Sequence, residues 1–133
     1  AGMVHTKKFA EVEFGDQVPG QGHMWDIETC PLSQLYVDDM NTISTVIGLA
    51  GSVKVPWLLV HGTEDDVVPI GESREMFEQA NEPKELFEIP GADHVFDPEE
   101  CADALPAMVT KVSEWLMPQV MPGLEVTFVP AEE

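Results

Sequence analysis

Val55-Pro56-Trp57-Leu58-Leu59-Val60-His61-Gly62-Thr63-Glu64-Asp65-Asp66-Val67-Val68-Pro69 decides how this 133-residue chain is built. Residues 55–60 are apolar, β-branched or aromatic, and carry no charge. A run of that length reads as a strand, with Pro56 placed where a strand can begin. An unbroken apolar run, without polar alternation, marks a strand buried on both faces, as in parallel sheets. The run stops at Gly62 and passes through an acidic turn to Pro69. In open α/β sheets the carboxyl ends of the strands carry the chemistry, so this turn is where a site belongs.

Working outward from it, residues 71–81 read as a helix. Met76, Phe77 and Ala80 supply its apolar stripe, Glu72 and Glu75 its acidic start, and Pro83 its stop. Residues 85–90 alternate Leu86, Phe87 and Ile89 with polar neighbours and form a second strand, released by Pro90-Gly91. Residues 98–116 carry the longest helical pattern, with Asp97 as N-cap and Pro98 at the first position. Its expected buried face is Ala102, Leu105, Met108, Val109, Val112, Trp115 and Leu116. Pro106 is expected to kink or divide it, and Pro118, Pro122 and Gly123 to end it. Residues 124–129 alternate again and suggest an edge strand or an extended tail.

Upstream, residues 32–50 read as helical, with Ser33 as N-cap and Leu35, Met40, Ile43, Val46, Ile47 and Ala50 at three- and four-residue steps. Asn41 and Thr42 are candidate break points. Residues 1–31 are irregular, with an extended piece around Phe9, Val12 and Phe14, and then Gly15, Pro19, Gly20 and Gly22 against a stable helix. Strands alternating with helices give an α/β class with a parallel sheet flanked by helices. Two strands alone leave an edge exposed on each side, so the sheet is expected to be partial.

Six Lys and Arg face 25 Asp and Glu, a formal net charge of −19. Nucleic acid needs a basic surface, and an anionic membrane repels this one. The charge suits a well-solvated surface, and high salt would screen it further. The longest apolar run falls short of the roughly 18 residues of a membrane span. No basic segment followed by an apolar one suggests a signal peptide. Cys30 and Cys101 lie far apart without metal-type spacing, so free thiols and a cytoplasmic setting are expected.

His94, in Gly91-Ala92-Asp93-His94-Val95-Phe96, follows the second strand as the acidic turn follows the first. A histidine titrating near neutral pH takes a proton from a weak nucleophile and returns it to a leaving group. A carboxylate on its other ring nitrogen fixes the tautomer. Asp65, Asp66 and Glu64 are all candidates for that carboxylate. Taken singly, each residue also has an ordinary use: His94 as a helix cap or partner of Asp93, Asp65 as a turn residue, His61 as support for the turn. Met24 and Trp25 suit a pocket lining or a loop anchor. His23, Asp26 and Cys30 fit no strong zinc spacing. No cofactor and no metal is expected.

The order strand, His61-Gly62-x-x-Asp65-x-x-Val68-Pro69, helix, strand, Gly91-Ala92-x-His94-x-Phe96, helix resembles the C-terminal third of the α/β-hydrolase fold. Within it the sequence is similar to bacterial esterase- or lipase-like serine hydrolases. The resemblance covers residues 53–116 and implies Asp65 as the triad acid and His94 as the base. It implies a division into residues 1–52 (a cap- or lid-like loop and helix), 53–117 (the strand–helix–strand–helix core) and 118–133 (a tail or edge strand). Residues 1–5 would be the tail of a preceding strand.

The family's nucleophile sits on a G-x-S-x-G turn between strand and helix. Ser33, Ser44, Ser52, Ser73 and Ser113 are the serines here, and none has that context. The expectation is the C-terminal portion of a carboxylic-ester hydrolase, supplying acid and histidine and inactive alone. The nucleophile and oxyanion hole would lie elsewhere, with pairing through open sheet edges. The rival expectations are a non-catalytic binding or oligomerisation module, or a peptidase or thioesterase of the same fold.

Overall fold

The structure, a computed structural model, describes residues 2–121 and 123. The expected edge strand at 124–129 lies outside them. Two parallel strands, β1 (Trp57–Gly62) and β2 (Lys84–Ile89), pair in register from Trp57 opposite Lys84 to Gly62 opposite Ile89. Four α-helices accompany them: α1 (Thr6–Phe14), α2 (Gln34–Ile43), α3 (Ile70–Gln79) and α4 (Ala104–Val120). The strand–helix–strand unit β1–α3–β2 is the crossover that parallel pairing requires.

Side-chain alternation along the strands divides the core into two layers. Trp57 and Leu59 face Val4, Ala50 and Met76 on the α3 side. Val60 and Phe87 face Ile89, Ala92, Ala104 and Met108 on the α4 side. The sheet is therefore covered by helices on both faces. Trp57 to Val60 are nonetheless only half-buried, against the expectation of a strand buried on both faces. With two strands, each has one unpaired edge among the described residues, and its side chains stay open along it. An ion pair between Lys111 and Glu85 ties α4 to β2.

Residues 6–14 form a helix instead of the expected extended piece. Phe9, Ala10 and Phe14, at helical spacing, are all buried against Leu32, Met40 and Val68. Nor do residues 2–5 continue a strand. The Val4 and His5 amides donate to the Glu72 carboxylate of α3 at 2.6 and 3.1 Å, which satisfies them without a sheet partner.

The helical reading of 32–50 holds in two pieces, with the break at Ser44, whose φ is +60°. The second piece is a short 3₁₀ helix, Ile47–Ser52. Ser33 caps α2 by accepting from the Tyr36 amide at 3.0 Å. Leu35 of the expected stripe points out to solvent, and Tyr36 and Val37 pack inward in its place.

α4 starts six positions later than expected. Asp97 turns the chain without capping a helix: its carboxylate accepts from Glu99 and its carbonyl from Cys101. Helix then begins at Ala104, so Pro106 falls in the first turn, where amides have no intrahelical acceptor, and neither kinks nor divides it. Pro118 does not end α4, which runs on to Val120. Ala104 is buried and Met108 packs against the sheet, whereas Leu105, Val109 and Leu116 of the expected buried face are about half-exposed. No helix among the described residues is long and apolar enough to cross a membrane.

Candidate active site

The site forms where β1 and β2 end side by side. Parallel pairing puts both carboxyl ends on one edge, so the loop after β1 and the loop after β2 emerge as neighbours. They are stitched together by the Thr63 amide on Ile89 O, the Glu64 amide on Ala92 O, and the Gly91 amide on Thr63 Oγ1, all between 2.9 and 3.0 Å. Gly62 makes this approach possible: a Cβ there would lie 2.1 Å from the Ala92 carbonyl oxygen. Gly91 supplies the turn at φ +76°.

This brings Asp65 and His94 together. The His94 Nδ1 lies 3.1 and 3.0 Å from the two Asp65 carboxylate oxygens. The Asp65 side chain is 1% exposed and that of His94 is 32% exposed. Asp65 also accepts from the Val67 and Val68 amides at 3.1 and 2.7 Å. A carboxylate can only accept, so Nδ1 of His94 carries the proton. Its Nε2 then holds the lone pair, and it has no hydrogen-bond partner among the described residues. The pair is an oriented imidazole backed by a fixed carboxylate.

Burial works against the charged form of Asp65. The Val68 amide, the hydrogen bond from His94 and the charges of His94 and His61 outweigh it, and the carboxyl is held below the ordinary value of 3.8. Glu64 and Asp66, the alternative acids, are exposed and make no bond to His94. Asp93 accepts the Asp97 amide at 2.7 Å, fixing the loop. Phe96 closes that loop at φ +57° and packs into the α4-side core.

His61 is fully buried, with Nε2 2.8 Å from the Val68 carbonyl oxygen and Nδ1 2.6 Å from Ser73 Oγ. Its Nε2 is also 3.1 Å from Asp65 Oδ2. The sequence marks His61 as support for the turn; its contacts with Asp65 and with Ser73, twelve residues on, come only from the fold. Met24 packs into the α1–α2 core, and the Trp25 ring meets Phe14 edge-on at 5.5 Å, so both anchor their loop. Cys30 and Cys101 are free thiols. Among the described residues no group of His, Cys, Asp or Glu is placed to hold a metal ion.

A family model described as serine aminopeptidase, S33, matches residues 27–100. That is more than half of the chain, and the chain belongs to this family of hydrolases. Two curated proteins, both called uncharacterized protein YfhR, from Salmonella typhi and Salmonella typhimurium, are each 32% identical to it over 78 residues. The match takes in 59% of this chain and 22% of each relative. Est1E from Butyrivibrio proteoclasticus has a similar structure, with a TM-score of 0.66 at 25% identity over 86% of this chain and 46% of Est1E. The chain thus spans about a fifth of the length of these curated relatives and under half of Est1E. The architecture is part of an α/β-hydrolase fold.

Proposed function

We propose that this chain carries the acid and base of a serine-hydrolase active centre acting on carboxylic esters. His94 is the general base and acid, and Asp65 orients it and stabilises the imidazolium. The observation that carries this reading is the 3.0 Å contact between a buried carboxylate and one nitrogen of a partly exposed imidazole whose other nitrogen has no partner among the described residues. In the first step Nε2 would take the proton of an attacking serine, and then return it to the leaving alcohol as the acyl-enzyme forms. The serine and oxyanion donors come from strands that pair with the open edges of the β1–β2 sheet, and residues 1–52 serve as a cap.

The test is to express the whole reading frame that encodes this segment and follow hydrolysis of p-nitrophenyl butyrate. His94→Ala and Asp65→Asn are each expected to lower kcat by about four orders of magnitude. Full activity in either variant, or a frame with no G-x-S-x-G after a strand, overturns the reading. Esterase activity in the isolated chain that vanishes in His94→Ala would show that the nucleophile lies within it.

A peptidase reading is the second, favoured by the family description and by a cleft between the two loops. The cleft, of about 490 Å³, is lined by Glu64, Asp66, Asp93, Asp97 and Glu100 together with Gly91. Such a mouth attracts a cationic amine. Faster turnover of an aminoacyl p-nitroanilide than of the ester decides for it.

A further inference from the structure

We propose that His61 is a positioning residue for the Asp65–His94 pair, held in one tautomer by the Val68 carbonyl, braced by Ser73, and acting through the backbone of Val68. The inference rests on the reading of His94 as the base. His61 is 0% exposed and sits at the end of β1, one residue before Gly62. The Val68 carbonyl, 2.8 Å from Nε2, can only accept, so Nε2 carries the proton. Whenever the ring is neutral, Nδ1 holds the lone pair and the Ser73 hydroxyl donates to it at 2.6 Å. Both ring nitrogens are thus used: the Val68 carbonyl sets the tautomer, and the Ser73 hydroxyl, able to donate or accept, answers to it.

The consequence reaches the acid through one residue, Val68, by the two peptide groups that flank its Cα. The Val68 carbonyl is held by His61 while the Val68 amide donates to Asp65 Oδ1 at 2.7 Å. The same Nε2 lies 3.1 Å from Asp65 Oδ2. The carboxylate is therefore bounded by the Val67 and Val68 amides, by His94 and by His61, and it has one orientation in which all are met. Filling a core would take an apolar side chain, because burying a two-nitrogen ring costs free energy unless both nitrogens are bonded. The acidic neighbour of His61 on β2 is Glu88, its register partner, which is occupied by Arg74 of α3 at 2.7 and 2.8 Å. Asp65 is thus the acid that His61 serves.

The test uses the full chain labelled with nitrogen-15 and reads the imidazole ring signals of His94 and the acid titration of Asp65. In the unsubstituted chain His94 is expected to show a protected Nδ1 proton. His61→Phe keeps the bulk and removes both nitrogens. It is expected to speed exchange of that proton by roughly tenfold, as loss of one buried hydrogen bond would, and to raise the Asp65 midpoint. His61→Gln, with an amide N–H in place of Nε2, is expected to restore most of both. Ser73→Ala should give a smaller change in the same direction. If His61→Phe folds with both signals unchanged, the positioning role is overturned. If it does not fold, unchanged signals in Ser73→Ala overturn it. A protected Nδ1 proton missing already in the unsubstituted chain defeats the assignment of His94 as base, an outcome separate from any His61 result.

Discussion

At the scale of residues, Asp65 concentrates the consequences. Its carboxyl titrates below the ordinary 3.8 because amide and histidine partners outweigh its burial. A group with a depressed folded value stabilises the fold in full above its unfolded value, and that stability is lost as pH falls through the folded one. The gap in melting temperature between the unsubstituted chain and Asp65→Asn should therefore be widest above pH 5 or so and narrow as the pH drops below 3.8. A gap that is flat across this range would contradict the stabilising bonds from Val68 and His94. Gly62 is the second sensitive position. A methyl there meets the Ala92 carbonyl, so Gly62→Ala should cost about 1–3 kcal/mol in urea unfolding and loosen the His94 Nδ1 proton as the loops part. Both outcomes come from one displacement, and a variant that loses neither would show that the loops yield freely.

Helix ends give a sharper contrast at the scale of elements. Ser33 and Asp97 are both sequence candidates for N-caps, and only Ser33 stands at the start of a helix; the Asp97 carboxylate accepts the Glu99 amide within a turn. Ser33→Ala should destabilise by about 1 kcal/mol. Pro106→Ala should be nearly neutral, within about 0.5 kcal/mol in chemical denaturation, because the Ala107 amide makes the first bond of α4, to Asp103, and Pro106 precedes it. A loss above 1 kcal/mol or so for Pro106→Ala would mean that its ring packs as well as turns. The sequence shows which residues suit a helix end, but not which of two turns the chain uses. That depends on where the His94 loop delivers the backbone, and Asp97 is spent on that loop through its bonds to Asp93, Glu99 and Cys101.

On the whole molecule, α4 leaves an apolar stripe open. Leu105, Val109, Leu116 and Val120 recur at one face with 46, 51, 48 and 58% exposure, and two sheet edges are unpaired among the described residues. Exposed apolar surface of this kind favours association, while a net charge of −19 opposes it. The chain alone is expected to be monomeric in dilute buffer and to associate in about 1 M salt, where the screening length falls to roughly 3 Å. Leu116→Glu should suppress the association in sedimentation equilibrium. Equal association of Leu116→Glu and the unsubstituted chain would place the contact elsewhere.

The β1–α3–β2 crossover and the two loops that carry Asp65 and His94 are legible from the order of residues alone. The apolar run of β1, the period-two pattern of β2 and the period-3.6 pattern of α3, with Gly62 and Pro90-Gly91 as punctuation, are local signals that survive without tertiary context. The sequence also placed Asp65 ahead of Asp66 and Glu64, by resemblance alone. Tertiary structure decided the rest. Residues 6–14 are helical because α2 and Val68 offer a surface for Phe9 and Phe14 to bury against, and no local pattern of 14 residues specifies that partner. The start of α4, the exposure of its stripe and the bonds of His61 likewise depend on groups distant in the chain. Whether a buried polar side chain is filler or part of a site depends on what lies 3 Å from it, which only folding sets.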